Sequence, residues 1–170
     1  MVTLFYAVMA LVGLERLAEL VVARRNAAWS FANGGVEHGA GHYPFMVALH
    51  TGFLVGCVAE VALLDRPWNP WIGWPALAMC VAAQVIRWWV ITTLGPRWNT
   101  RVIVIPGLAP ITGGPFRWLR HPNYIAVIAE GIALPLIHGA WITALTFTVL
   151  NAFLLRTRIA VEDAALGRST

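Results

Sequence analysis

Five apolar runs dominate this chain and leave it one plausible environment. They cover residues 3–22, 44–64, 71–94, 124–137 and 140–155. A helix crossing the hydrocarbon core needs about 20 consecutive apolar residues; the first three runs have that length and the last two are shorter. Only 12% of the residues are charged and the mean hydropathy is +0.69, whereas a soluble domain carries about a quarter charged residues. The expected fold is therefore an all-α integral membrane protein with five transmembrane helices. It forms one domain over residues 1–170, because no internal repeat is visible.

The charges that remain are unevenly placed. Every positive residue is arginine. Arg24, Arg25, Arg97, Arg101, Arg117, Arg120, Arg156, Arg158 and Arg168 fall on one side of the five-span arrangement, and only Arg66 on the other. Arginine-rich connections stay in the cytoplasm. This predicts a multi-pass cell-membrane protein with its N-terminus outside and its C-terminus inside. The loop 95–123 and the tail 156–170 then share the compartment that holds soluble cofactors. A pI near 9.8 does not imply nucleic acid here, because the arginines cluster at membrane edges rather than on one polar face. Cys57 and Cys80 lie inside apolar runs without ligand or disulfide spacing and read as core packing. The first run contains Glu15, Arg16 and Glu19 and no Ala-x-Ala site follows it, so it is expected to remain as a span.

Glu15, Arg16, Glu19, Glu60 and Arg87 lie within apolar runs, where charge is expensive. They read as ion pairs locking helices together, or as the lining of a polar cavity. The segment 34–43 contains His38 and His42 at i, i+4, a spacing that could hold a metal on a helix. Its glycines argue against a helix and no third ligand is apparent. No metal site is expected; the segment reads as a structured loop folding over a site.

The stretch 94–124 is the long segment that is neither a span nor a short connector. It carries Arg97, Arg101, Arg117 and Arg120, the pair Gly113-Gly114, and the run Arg120-His121-Pro122-Asn123-Tyr124. Proline suits the first helical position, so His121 falls near an N-cap and Tyr124 in the first turn. The N–H groups of that helix end could hold a carboxylate, and the glycine pair would let backbone approach a ligand. A plain topology-setting basic loop is the simpler reading. Beyond the last run, Arg158 and Glu162 share one helix face, either as a surface ion pair or as grips for an anionic acceptor and a cofactor.

Taken in order, Leu94-Gly95-Pro96-Arg97-Trp98, Thr112-Gly113-Gly114-Pro115-Phe116, Arg120-His121-Pro122-Asn123-Tyr124 and Arg158-Ile159-Ala160-Val161-Glu162-Asp163 resemble the isoprenylcysteine carboxyl methyltransferase family of integral-membrane methyltransferases. Phe116 stands where the family has Tyr, and Asp163 where it has a second Glu. The segments 16–20, 25–26 and 37–43 look more like the small bacterial branch, which O-methylates long-chain alkylpyrones or alkylresorcinols. The resemblance implies an S-adenosyl-L-methionine (AdoMet) pocket at Leu108, Ala109, Pro110, Ile111, Phe116, His121, Pro122, Asn123, Tyr124 and Glu162, with Arg158 orienting the acceptor. It further implies in-line transfer of a methyl group to an oxygen of a lipophilic small molecule that reaches the site sideways from the bilayer. A prenylcysteine carboxylate is the alternative acceptor. Two readings from other classes stand beside these, an NADPH-dependent membrane reductase and a non-catalytic membrane protein or transporter.

Overall fold

The computed structural model describes residues 1–167; Arg168, counted above among the cytoplasmic arginines, lies outside them. Five helices form the body: α1 (Val2–Ala32), α2 (Tyr43–Leu63), α3 (Pro70–Leu94), α4 (Pro122–Leu136) and α5 (Trp141–Ala165). Three helical segments, Ala40–Leu63, Pro70–Arg97 and Trp141–Ala165, are long and apolar enough to cross a membrane, while α4 is shorter. The chain is thus a multi-pass, helical membrane protein. Large apolar side chains cover its outside, among them Trp71, Leu63 and Phe153, as expected of a surface that meets lipid rather than water.

Local signals set the helix ends. Asn69 caps α3 by accepting from the Trp71 N–H at 2.9 Å, and Pro70 occupies the first turn. Pro122 opens α4 in the same way behind His121. The N-terminus of α5 is capped from another helix. Glu60 of α2 accepts from the backbone N–H groups of Ile142 and Thr143 and from the Thr143 hydroxyl, at 3.1, 2.7 and 2.8 Å. Glu60 also pairs with Arg66 at 2.9 Å. Its place in an apolar run is explained by a helix cap, since four N–H groups at a helix start otherwise lack partners. The tight α4–α5 connection makes the antiparallel hairpin expected of it, with Gly139 at φ 75°.

Two helices outrun the sequence expectation. α1 continues ten residues past residue 22, and α5 ten past residue 155. Arginine stops a membrane span, but it is a good helix former; Arg24, Arg25 and Arg156 are exposed on helices that carry on past the apolar stretch. The α1 extension has a docking partner. Asn26 Nδ2 donates to the carbonyls of Gly95 and Trp98 at 3.2 and 2.7 Å. Ala23, Val90, Ile91 and Trp98 close a small core there. The all-α expectation also needs a small amendment. A two-stranded antiparallel sheet joins β1 (Val36–His38) to β2 (Val102–Val104), pairing Val36 with Val104, Glu37 with Ile103 and His38 with Val102.

The intramembrane charges form a network across three helices. Arg16 of α1 reaches Glu15 at 3.1 Å and Glu19 at 2.8 Å. Arg87 of α3 reaches Glu130 of α4 at 2.8 Å and Glu19 at 3.7 Å. Gln84 and Trp88 of α3 donate to Glu15. This favours the locking reading, and Glu130 is the member that the sequence did not single out. Truncating one partner of a buried pair leaves a charge uncompensated, which costs about 3–5 kcal/mol. Glu130→Ala is therefore expected to lower the melting temperature in detergent sharply, and the double replacement Arg87→Met with Glu130→Leu to restore much of the loss. A single variant that melts like the wild type contradicts the lock.

Candidate functional site

Loop 95–123, the start of α4 and the end of α5 meet at the end of the bundle opposite the Glu60 cap. They enclose a cavity of about 180 Å³. Its walls include Ser30 of α1, Val90 and Leu94 of α3, Arg97, Trp98, Asn99 and residues 101–105 of the loop and β2, and Leu166. Leu108, Ala109, Pro110, Ile111, Phe116, His121, Pro122, Asn123, Tyr124, Arg158 and Glu162 all line it. Leu108, Ala109 and Pro110 are exposed and form its open rim.

One chain of polar contacts crosses the cavity. The Tyr124 hydroxyl, in the first turn of α4, donates to Glu162 of α5. Arg158, one turn before Glu162, donates from Nε to that same hydroxyl at 3.0 Å. Arg158 is 7% exposed, and its Nη1 lies 2.7 Å from the Met46 sulfur of α2. A thioether is a weak acceptor. This edge of a buried guanidinium therefore faces no formal charge among the described residues. Asn123 Oδ1 is likewise buried without a hydrogen-bond partner among them.

His121 stacks on the Tyr124 ring, with centroids 5.3 Å apart. Its Nδ1 is 3.5 Å from Glu162 and its Nε2 3.2 Å from Asp163. Neither contact is well directed as a hydrogen bond, so the attraction is chiefly one of charge. Interaction with Glu162, ahead of the opposing effect of partial burial, raises the imidazole pKa above its ordinary value. Asp163, buried on the far side of the ring, was visible in the sequence only as part of the Arg158–Asp163 motif.

Segment 33–42 supports this site from behind. Arg101 pairs with Glu37 at 3.3 Å and lies over the Tyr43 ring, and Tyr43 bonds Thr100 at 3.3 Å. His38 sits on β1 and His42 on a 3-10 turn, so the two do not share a helix face. The arginines of loop 95–123 divide into two pairs. Arg117 and Arg120 are exposed and are not among the cavity's lining residues, whereas Arg97 and Arg101 are. The short 3-10 turn Gly114–Arg117 carries Arg117 onto Trp118 instead. Nor does Gly114 make room for a ligand. At φ 57°, a Cβ there would come 2.5 Å from Thr93 Oγ1, so its missing side chain lets the loop pack on α3. Met46 and Ser30 carried no sequence signal, since each reaches the region only through helix packing.

The sequence pattern of the isoprenylcysteine carboxyl methyltransferase family matches residues 76–168, over half of the chain, including α4, α5 and the loop before them. The chain belongs to that family. Its members are membrane methyltransferases, and family members use AdoMet. Two relatives extend the likeness to nearly the whole chain. YpbQ of Bacillus subtilis, described as uncharacterized, is 38% identical over 164 residues, 96% of each chain. An uncharacterized protein of Haemophilus influenzae is 25% identical over 153 residues, covering 89% of this chain and 88% of its own.

The raised pKa of His121 has a sign that can be checked. A group whose pKa is higher folded than unfolded stabilises the fold fully below its unfolded value, near 6.5, and loses that contribution as pH rises through the folded value. The melting-temperature difference between wild type and His121→Gln should be largest near pH 6 and shrink toward pH 9. A difference that is flat with pH would show that the charge contact with Glu162 and Asp163 contributes nothing.

Proposed function

We propose that this family member is an AdoMet-dependent O-methyltransferase, acting on a lipophilic acceptor such as a long-chain alkylpyrone or alkylresorcinol. The observation that carries the reading is Arg158: a buried arginine fixed at one edge by Tyr124 and Glu162, whose other edge meets only a thioether. An anionic oxygen would complete it, since a charge-assisted hydrogen bond to guanidinium is short and strong.

The residues around the cavity fit the cofactor's chemistry. Glu162 and the unpartnered Asn123 oxygen are acceptors for its ammonium or ribose hydroxyls. The Asn123 N–H at the start of α4 and Arg97 suit its carboxylate. Leu108 to Ile111 and Phe116 offer an apolar face to its base. When bound, AdoMet supplies a methyl group already activated on a sulfonium. The protein's part is then to orient and to exclude water. Arg158 holds the acceptor oxygen, and its charge favours the ionised form of an acidic enol. Tyr124 and Glu162 keep the guanidinium aimed.

The same reading has five spans, with the N-terminus outside and the cavity cytoplasmic. α1 crosses despite its charges, because Glu15, Arg16 and Glu19 are paired inside the bundle. Single cysteines at Asn69 and at Arg117, in intact cells treated with an impermeant thiol reagent, should label only at Asn69. Labelling at Arg117 alone reverses the topology.

Calorimetry with AdoMet tests the cofactor assignment. His121→Ala and Glu162→Ala should each weaken binding by about tenfold, the ~1–2 kcal/mol of a lost polar partner. Arg158→Ala should leave AdoMet affinity largely intact and abolish turnover of an alkyl-hydroxypyrone. Unchanged affinity in both of the first two variants removes the pocket assignment. Turnover of prenylcysteine and not of alkylpyrone or alkylresorcinol transfers the enzyme to the other acceptor.

A further inference from the structure

The chain has no Asp or Glu between Asp65 and Glu130, so loop 95–123 carries four arginines and no carboxylate. Two of the four have partners within the protein. Arg101 pairs with Glu37 at 3.3 Å, and Arg97 donates to the Ala109 carbonyl at 2.8 Å. Arg117 and Arg120 are exposed and pair with no carboxylate among the described residues. Between them stand Trp118, 69% exposed, and Leu119, also exposed. The indole is held in place: its ring lies 5.8 Å from that of Trp89 on α3, and the Arg117 guanidinium lies 5.6 Å from its centroid. Gly114 brings the segment there, since its missing side chain lets the backbone lie against Thr93, one turn beyond Trp89. Trp89 is itself exposed and lies five residues, about 7.5 Å, before the end of α3 at Leu94. Residues 114–120 thus return along the outside of a helix long and apolar enough to cross the membrane. They carry an uncovered indole and two uncompensated cations to that outer face.

We propose that residues 117–120 form a binding site for an anionic phospholipid. Arg117 and Arg120 hold the headgroup phosphate, and Trp118, with Leu119 and Trp89, packs on the upper part of the acyl chains. Guanidinium matches phosphate through paired, charge-assisted hydrogen bonds, and tryptophan is favoured at the boundary between headgroups and hydrocarbon. Exposed cations alone would accept any anion; the indole decides for lipid. A soluble phosphate leaves Trp118 uncovered, whereas a phospholipid brings the charge for the arginines and the apolar surface for the ring together. Arg120 is followed directly by His121, so a headgroup held here ties the start of α4 to the bilayer surface. The proposal needs α3 to lie in a membrane and is independent of the methyl-transfer reading.

The test follows thermal unfolding of the full-length protein in neutral detergent micelles doped with dioleoylphosphatidylglycerol or dioleoylphosphatidylcholine. For the wild type, phosphatidylglycerol should raise the melting temperature at a far lower mole fraction than phosphatidylcholine. Replacing both cations, Arg117→Gln with Arg120→Gln, should raise the half-maximal mole fraction of phosphatidylglycerol by about thirtyfold, as each cation beside an anionic headgroup contributes about fivefold. Arg117→Lys with Arg120→Lys keeps the charge and should keep most of the effect, while Trp118→Ala should weaken it. Arg24→Gln with Arg25→Gln removes the same charge from an exposed part of α1 and should shift it by a few-fold at most. Melting in phosphatidylcholine micelles shows that each variant is folded. An unchanged response in the Arg117 and Arg120 glutamine variant overturns the site, and so does an equal loss in the Arg24 and Arg25 variant, which would make the effect one of general surface charge. Stabilisation of the wild type by inorganic phosphate as large as that by phosphatidylglycerol, with no loss in Trp118→Ala, overturns the lipid and leaves a soluble anion in its place.

Discussion

Arg87 meets Glu130 at 2.8 Å between α3 and α4, with Glu19 and Arg16 of α1 drawn to the same point. A charged group inside an apolar bundle is costly unless it is paired, so these three helices are held in one register. α4 is the shortest helix, and its first turn supplies His121, Pro122, Asn123 and Tyr124 to the cavity. Fixing α4 against α3 therefore fixes the most crowded wall of the site. The α5 wall is fixed at the other end of the molecule, where Glu60 caps the helix that carries Arg158 and Glu162. Each wall is anchored by buried polar contacts some distance from the cavity.

The contrast between the two arginine populations follows from the same physics. Arg24, Arg25, Arg117, Arg120 and Arg156 are exposed; they can set topology without being held by anything. Arg158 is buried, and its geometry is determined on one edge by Tyr124 and Glu162. In the proposed function this immobilised guanidinium positions the acceptor oxygen, because orientation is most of what a methyltransferase adds to an already reactive donor.

Much of this was legible in the sequence, for identifiable reasons. Apolar runs of about 20 residues read directly as α2 and α3, and proline at residue 122 marked a helix start. The eleven residues assigned through the family resemblance come together at one cavity, because ordered motifs on loop 95–123, α4 and α5 must converge if α4 and α5 form a hairpin. The helical extension of α1 to residue 32 was not read, since an arginine that ends a membrane span does not end a helix. The β1–β2 pairing was out of reach: two three-residue strands 63 or more residues apart carry no periodicity. Gly114 was misread because glycine content does not say which way a short 3-10 turn points. Met46 and Glu130 were missed because their partners belong to other helices.

The central claim is that AdoMet binds at the junction of loop 95–123, the start of α4 and the end of α5. Amide hydrogen exchange with and without AdoMet tests it most directly, because ligand binding slows opening where contacts form. Added protection should concentrate in residues 102–124 and 158–166 and leave residues 48–56 of α2 unchanged. Protection confined to other segments, or none at saturating AdoMet, would contradict the account.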